Sequence, residues 1–239
     1  MEKRNLKPTS RRGFLGSLAA GTTALGISAI ATPLSLHAEP IAGTNPEDPD
    51  AWFNKIKGKH KVIFDATKPH EIFPFAWPKV FLLTNQATGT PPKDCSVVVV
   101  LRHDAIPYAF EDRLWAKYKF GEVFKANELG RAFKAADAAT ATQTRNPFWK
   151  PKLGDFVMPA FGSLPIGIND LQAEGVMFCV CDAAITVYSA ALAAGMNMDA
   201  AEVKKDWLAG LLPGVQVVPS GVWAVGRAQE HGCSYIFAG

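Results

Sequence analysis

No Gly-x-Gly-x-x-Gly fingerprint and no Walker sequence occurs in the 239 residues. The first apolar run is followed by Ala66-Thr-Lys-Pro-His70, which lacks the Ser/Thr/Gly-rich loop that cradles a flavin phosphate. Nucleotide and flavin binding are therefore not expected. Covalent haem requires Cys-x-x-Cys-His, and the chain holds only Cys179-Val-Cys181. A Ser/His/Asp hydrolase is disfavoured by the lack of a Gly-x-Ser-x-Gly elbow in the mature chain. Net charge is small as well. Residues 1–38 carry five Lys or Arg against one Glu, so the remaining chain holds 20 basic and 21 acidic residues. With no basic stripe interleaved with aromatics, no nucleic-acid partner is expected. Membrane contact is expected only through the export signal. No cofactor is called for by any of these patterns.

The excess positive charge belongs to a targeting segment. Ser10-Arg-Arg-Gly-Phe-Leu-Gly16 follows a basic start and opens a stretch from Gly13 to Ala38 without Asp, Glu, Lys or Arg. This pattern reads as a twin-arginine export signal over 1–38 and places the mature chain in the periplasm. Gly16, Gly21, Thr22, Thr23 and Gly26 dilute the apolar run, and Pro33 breaks it. Cleavage after Ala38 is the preferred reading. Ala29-Ile-Ala31 is a second candidate, and an uncleaved anchor is the alternative. Replacing Arg11 and Arg12 together by Lys should leave precursor in the cytoplasm. Unchanged periplasmic yield in cell fractions would remove this localisation.

With 48% apolar and 20% charged residues the chain can bury a proper core. Residues 39–58 are rich in Pro, Asp and Asn and read as a surface arm. Strands are expected at 61–66, 95–101, 176–181, 215–218 and 233–237. Helices are expected at 75–85, 108–118, 164–174, 182–195, from 199 to the stop at Pro213-Gly214, and at 222–230. The runs at 95–101 and 176–181 are apolar throughout, as in strands covered on both faces. Strands alternating with helices predict a three-layer α/β fold over 59–239, with a mainly parallel sheet of about five strands flanked by helices. Residues 119–163 read as a long insertion, partly helical near 129–136, presenting Phe148 and Trp149.

Cys181 ends its strand where an Ala-rich helix begins, at the carboxyl edge where open α/β sheets place ligands. Oriented amides at a helix start stabilise a thiolate, as nucleophilic sulfur chemistry requires, while adjacent Asp182 works against it. Cys179, in mid-strand, reads as a small buried hydrophobe. His103 and Ser220 also follow strands at this edge, so the three side chains could converge as a reactive thiol with two substrate-binding partners. Asp65 and His70 are weaker neighbours. A Cys/His metal site is the alternative, since Cys179 and Cys181 share a strand face in ideal pleating, with Met196 and Met198 in a following loop. Cys95 and Cys233 open strands at the opposite edge, and the sequence leaves disulfide pairing open.

Gly175-Val-Met-Phe-Cys-Val-Cys-Asp-Ala-Ala-Ile185 resembles the strand-to-helix segment of the DsrE/DsrF-like proteins. Leu212-Pro-Gly-Val-Gln-Val-Val-Pro-Ser-Gly-Val222 and Arg227-Ala-Gln-Glu-His-Gly-Cys-Ser-Tyr-Ile236 resemble their C-terminal signature. The likeness runs from about Lys61 to Gly239 and is firmest at the end. It implies a sulfur-relay type α/β fold that assembles as a homo-oligomer, with apolar helical surfaces at 203–211 and 222–225 buried between subunits. It also implies persulfide sulfur carried on Cys181, exchanged with a periplasmic donor or acceptor protein. The relay proteins are cytoplasmic and small, whereas this chain has an export signal and an insertion. A non-catalytic periplasmic binding or assembly module is the competing class.

Overall fold

The structure, a computed structural model, describes residues 49–239. The expected export signal, its cleavage site and the first part of the 39–58 lead-in lie outside the described residues. Five strands form one parallel sheet: β1 (His60–Ala66), β2 (Cys95–Leu101), β3 (Met177–Cys181), β4 (Val215–Val218) and β5 (Ser234–Phe237). Their order is β4-β3-β2-β1-β5. The helices that matter for the site are α1 (Phe73–Ala87), α2 (Asp112–Tyr118), α3 (Asp182–Met196), α4 (Ala200–Ala209) and α5 (Gly221–Glu230). This is the three-layer α/β arrangement that the alternation of elements predicts.

Strand pleating divides the core in two. Val62, Phe64, Val97, Val99, Phe178 and Val180 join the larger apolar cluster, together with Phe75 of α1, Ile185 of α3 and Trp207 of α4. Ile63, Val98, Val100, Cys179 and Val218 join the smaller one, under Ala224 and Ala228 of α5. Both faces of β1, β2 and β3 are therefore covered, which is why these runs carry no polar alternation. Edge strand β5 is exposed along its length.

Three expectations are corrected. The lead-in is not a surface arm where it is described, because Pro49–Lys55 forms a 3₁₀ helix whose Trp52 and Phe53 close the smaller core, Phe53 lying 5.7 Å from the Trp223 ring. The helix expected at 108–118 is split into a 3₁₀ segment, His103–Ala109, and α2. Phe110 instead makes an antiparallel bridge to Leu211, and Leu212 N–H donates to Ala109 O at 2.9 Å, which draws the backbone out of helical bonding. The insertion does not present Phe148. That ring is fully buried, stacked 4.1 Å from Phe75 and 4.9 Å from Phe156. No helix forms at 129–136, where Phe133 bridges Phe156. Val123, Leu153 and Phe161 are the large apolar residues that the insertion exposes. Buried Asn146 anchors it, donating to Tyr108 O and Phe110 O, each at 2.9 Å.

Helix α4 begins at Asp199, whose carboxylate accepts Glu202 N–H at 2.9 Å, as its capping pattern predicts. Val203 and Trp207 on this helix are buried within the chain, so they cannot form the subunit surface expected of them. Asp206 ties α4 to α2 by ion pairs with Arg113 and Lys117 and by accepting the Tyr118 hydroxyl at 2.7 Å. Burial opposes its ionisation, but the Lys117, Tyr118 and Arg113 bonds outweigh it and hold the carboxyl at about 2. A depressed carboxyl contributes stability that is full above its unfolded value of about 4 and is lost as pH falls toward about 2. Asp206→Asn should therefore flatten the pH dependence of the melting temperature in that window. An unchanged acid slope would count against the linkage.

Candidate functional site at the carboxyl edge of the sheet

Cys181 is the last residue of β3 and the N-cap of α3, with its backbone at φ −76°, ψ 110°. Its Sγ accepts Ala184 N–H at 3.3 Å, one of the amide groups that a helix start leaves without an intrahelical partner. The residue is 6% exposed. The neighbouring turn lies against it, since Ala183 N–H donates to Pro219 O at 3.2 Å. Asp182, whose charge would oppose an anionic sulfur, is paired instead with Lys204 of α4 at 2.9 Å, and Lys204 also donates to Thr186 Oγ1 at 2.8 Å.

The cation nearest in kind to a substrate-reading group is Arg102, directly after β2. Its Nε and Nη2 donate to the two oxygens of Asp65 at 2.7 and 2.8 Å, a bidentate pairing. Tyr235 of β5 donates to the same carboxylate at 2.9 Å. The Asp65 side chain is 2% exposed and that of Arg102 27%. Asp65 bonding, ahead of its attraction to Tyr235 and Cys181, raises the Arg102 pKa and keeps the guanidinium charged. The arginine stem lies on the first residue of α5: a Cβ on Gly221 would come within 2.5 Å of Arg102 Cβ and 2.6 Å of Cδ. Gly221 is thus required by close approach, and Gly221→Ala should displace the guanidinium.

His103 does not join Cys181. It takes a left-handed conformation, φ 50°, which turns the chain so that its ring meets Tyr188 edge-on at 5.8 Å and Nδ1 lies 3.3 Å from Asp104. Tyr188 follows Cys181 by seven residues, about 10 Å along the helix. Its hydroxyl donates to Asp104, and burial, then that bond, raises its pKa. Ser220 lies at the edge as expected, but its hydroxyl accepts Trp223 N–H at 3.2 Å and caps α5. His70 packs against Phe73 and the chain end rather than the thiol. Arg102 was missed. The signal for it was Asp65, a single acid inside the otherwise apolar run 62–66, which needs a cationic partner when buried.

The other thiols differ. Burial holds the Cys179 thiol far above its ordinary range and pushes Cys233 up to about 11. Burial, then Asp94, also raises Cys95. All four cysteines are free. Cys179 packs in the smaller cluster, whereas Cys181, at the junction of β3 with α3, packs in the larger. Ideal pleating therefore does not extend to the pair. Among the described residues no group of three or more His, Cys, Asp or Glu is placed to hold a metal ion.

No family model matches the chain, and no curated protein matches it. Among solved structures it is similar to the protein of unknown function MTH1491 from Methanobacterium thermoautotrophicum, at 17% identity and a TM-score of 0.37, over 75% of this chain and 99% of that one. A likeness at that level carries no argument about function.

Proposed function

We propose that this chain is an exported, DsrE/DsrF-like thiol protein that binds or transfers sulfane sulfur through Cys181. The observation that carries the reading is the setting of one sulfur: Cys181 Sγ caps α3, Arg102 and Cys181 directly follow the paired residues Leu101 and Val180 of neighbouring strands, and the acidic neighbour Asp182 is ion-paired with Lys204. A helix start, a nearby cation and the pairing of an adjacent acid are settings that nucleophilic and persulfide-carrying sulfur chemistry uses in general. The reading is tested by incubating the purified protein with polysulfide and measuring its intact mass under non-reducing conditions. Gain of one sulfur atom, mapped to the Cys181 peptide, is expected. No gain on any thiol would end it.

Export to the periplasm and exchange with a sulfur donor or acceptor protein there belong to the same proposal. So does self-association, for which Val222 and the exposed Tyr235, Ile236 and Phe237 of edge strand β5 are among the apolar surfaces open to a second copy. Light scattering at micromolar concentration should report a species larger than the monomer. The second reading, a binding module, is favoured by a groove of about 510 Å³ between α2 and α3, lined by Val123, Tyr188, Leu192 and Met196. Protein that takes up no sulfur yet retains a bound apolar ligand would support that reading instead.

A further inference from the structure

We infer that the small molecule presented to Cys181 carries an oxyanion close to the transferred sulfur, and that Arg102 reads it. This rests on the proposal that Cys181 takes up sulfur and goes beyond it by naming the donor's chemical class. Arg102 is the specificity-determining residue. Its fork is committed on one side only: the Nε/Nη2 edge meets Asp65, so Nη1 faces away from that carboxylate. A planar guanidinium pairs with carboxylate or sulfonate through two parallel bonds, and one edge remains to do so.

Its placement is fixed from three sides. Buried Asp65 holds the fork, Tyr235 orients Asp65, and the absence of a side chain at Gly221 lets the arginine stem lie on the start of α5. That start adds its own positive field at the same edge, since α5 runs for 10 residues. An arginine needed only to neutralise Asp65 would not also need the glycine seat, and strand register brings it beside the thiol, since Arg102 and Cys181 directly follow the paired residues Leu101 and Val180. Cys181 is 6% exposed and admits only a small reagent, so a charge on that reagent must lie near the reacting sulfur, at the edge where Arg102 stands next in register to Cys181.

The step balances without an oxidant or reductant. Cys181 thiolate attacks the outer sulfur of a persulfide whose carbon chain bears the oxyanion. A Cys181 Sγ–S bond forms and the donor's S–S bond breaks. The electron pair leaves on the donor's inner sulfur as a thiolate, and the proton of the outer sulfur stays with it on Cys181. Arg102 holds the oxyanion throughout, orienting the S–S bond toward Sγ.

Alkylation of Cys181 tests this without sulfur chemistry, because iodoacetate and iodoacetamide attack the same thiol and differ in charge. The rate ratio of iodoacetate to iodoacetamide, read on the Cys181 peptide, is expected to fall about tenfold in Arg102→Gln, the size of one nearby charge at partial solvation. A ratio that does not change, with both rates altered equally, would assign Arg102 a purely structural role and overturn the inference. Should Arg102→Gln fail to fold, the unaltered protein carries the test instead. Acetate or methanesulfonate should protect Cys181 from iodoacetamide, whereas uncharged dimethyl sulfone should not. Stronger protection by acetate points to a carboxylate-bearing donor, stronger protection by methanesulfonate to a sulfonate-bearing one, and equal protection by dimethyl sulfone refutes anion reading. An iodoacetate preference without any sulfur loading would remove the sulfur proposal while leaving the anion site in place.

Discussion

Cys181→Ser is expected to abolish sulfur loading from polysulfide while leaving the fold almost untouched. The two outcomes separate because Cys181 caps α3 and, in the proposed function, is also the nucleophile, and serine can serve only the first role. As a cap, Cys181 accepts Ala184 N–H at 3.3 Å, and a serine hydroxyl is among the preferred acceptors at that position, so helix stability should change by less than about 1 kcal/mol. As a nucleophile, serine has no thiolate to offer and cannot hold a persulfide. Cys179→Ser should behave in the opposite way. It places a hydroxyl in a fully buried apolar cluster, at a cost of about 1–3 kcal/mol if no partner is found, yet should leave loading intact. Alkylation of the native protein with peptide mapping should label Cys181 ahead of Cys179 and Cys233, whose thiols burial holds protonated. Undiminished loading in Cys181→Ser, measured by intact mass, would refute the assignment whatever its melting temperature.

Trp207→Ala is expected to be the most destabilising single truncation in the helical layer, by about 3–5 kcal/mol in a urea melt. Trp207 is fully buried. Its ring contacts Phe110 at 5.5 Å, Tyr118 at 5.9 Å, Phe120 at 4.8 Å and Phe124 at 6.2 Å, so removing it opens a cavity walled by rigid aromatics that cannot collapse inward. Its Nε1 has no hydrogen-bond partner among the described residues, and a buried donor left unpaired is itself unfavourable. Trp207→Phe should therefore lose clearly less than Trp207→Ala, because it keeps most of the ring and removes the unpaired N–H. Equal losses for the two variants would show that neither the retained ring volume nor the removal of the unpaired N–H eases the substitution. Since this cluster joins α2, α4 and the short helix Phe120–Val123, neither variant should alter sulfur loading in the protein that remains folded.

The insertion shows where linear reading runs out. Phe148 and Trp149 stand among Pro, Lys and Asn in a stretch without periodicity, the usual sign of surface chain. Yet Phe148 fills the space over Phe75. Aromatic residues in irregular segments carry no pattern that says which way they point. Only the position of α1 beneath them does. The same holds for the lead-in, where Trp52 and Phe53 find a core whose other wall is α5, some 170 residues further along the chain.

By itself the sequence determined the five strands, the burial of the apolar runs of β2 and β3 on two faces, and the helix start at Cys181. Apolar runs, caps and turn residues act over a few positions, and each leaves its mark locally. What only the tertiary structure decided is which side chains meet at the carboxyl edge. His103 follows β2 just as Arg102 does, but a left-handed backbone carries it to Tyr188, and the bond between Arg102 and Asp65 spans 37 residues. Strand order sets those neighbours, and strand order arises from packing across the whole sheet rather than from any single segment of it.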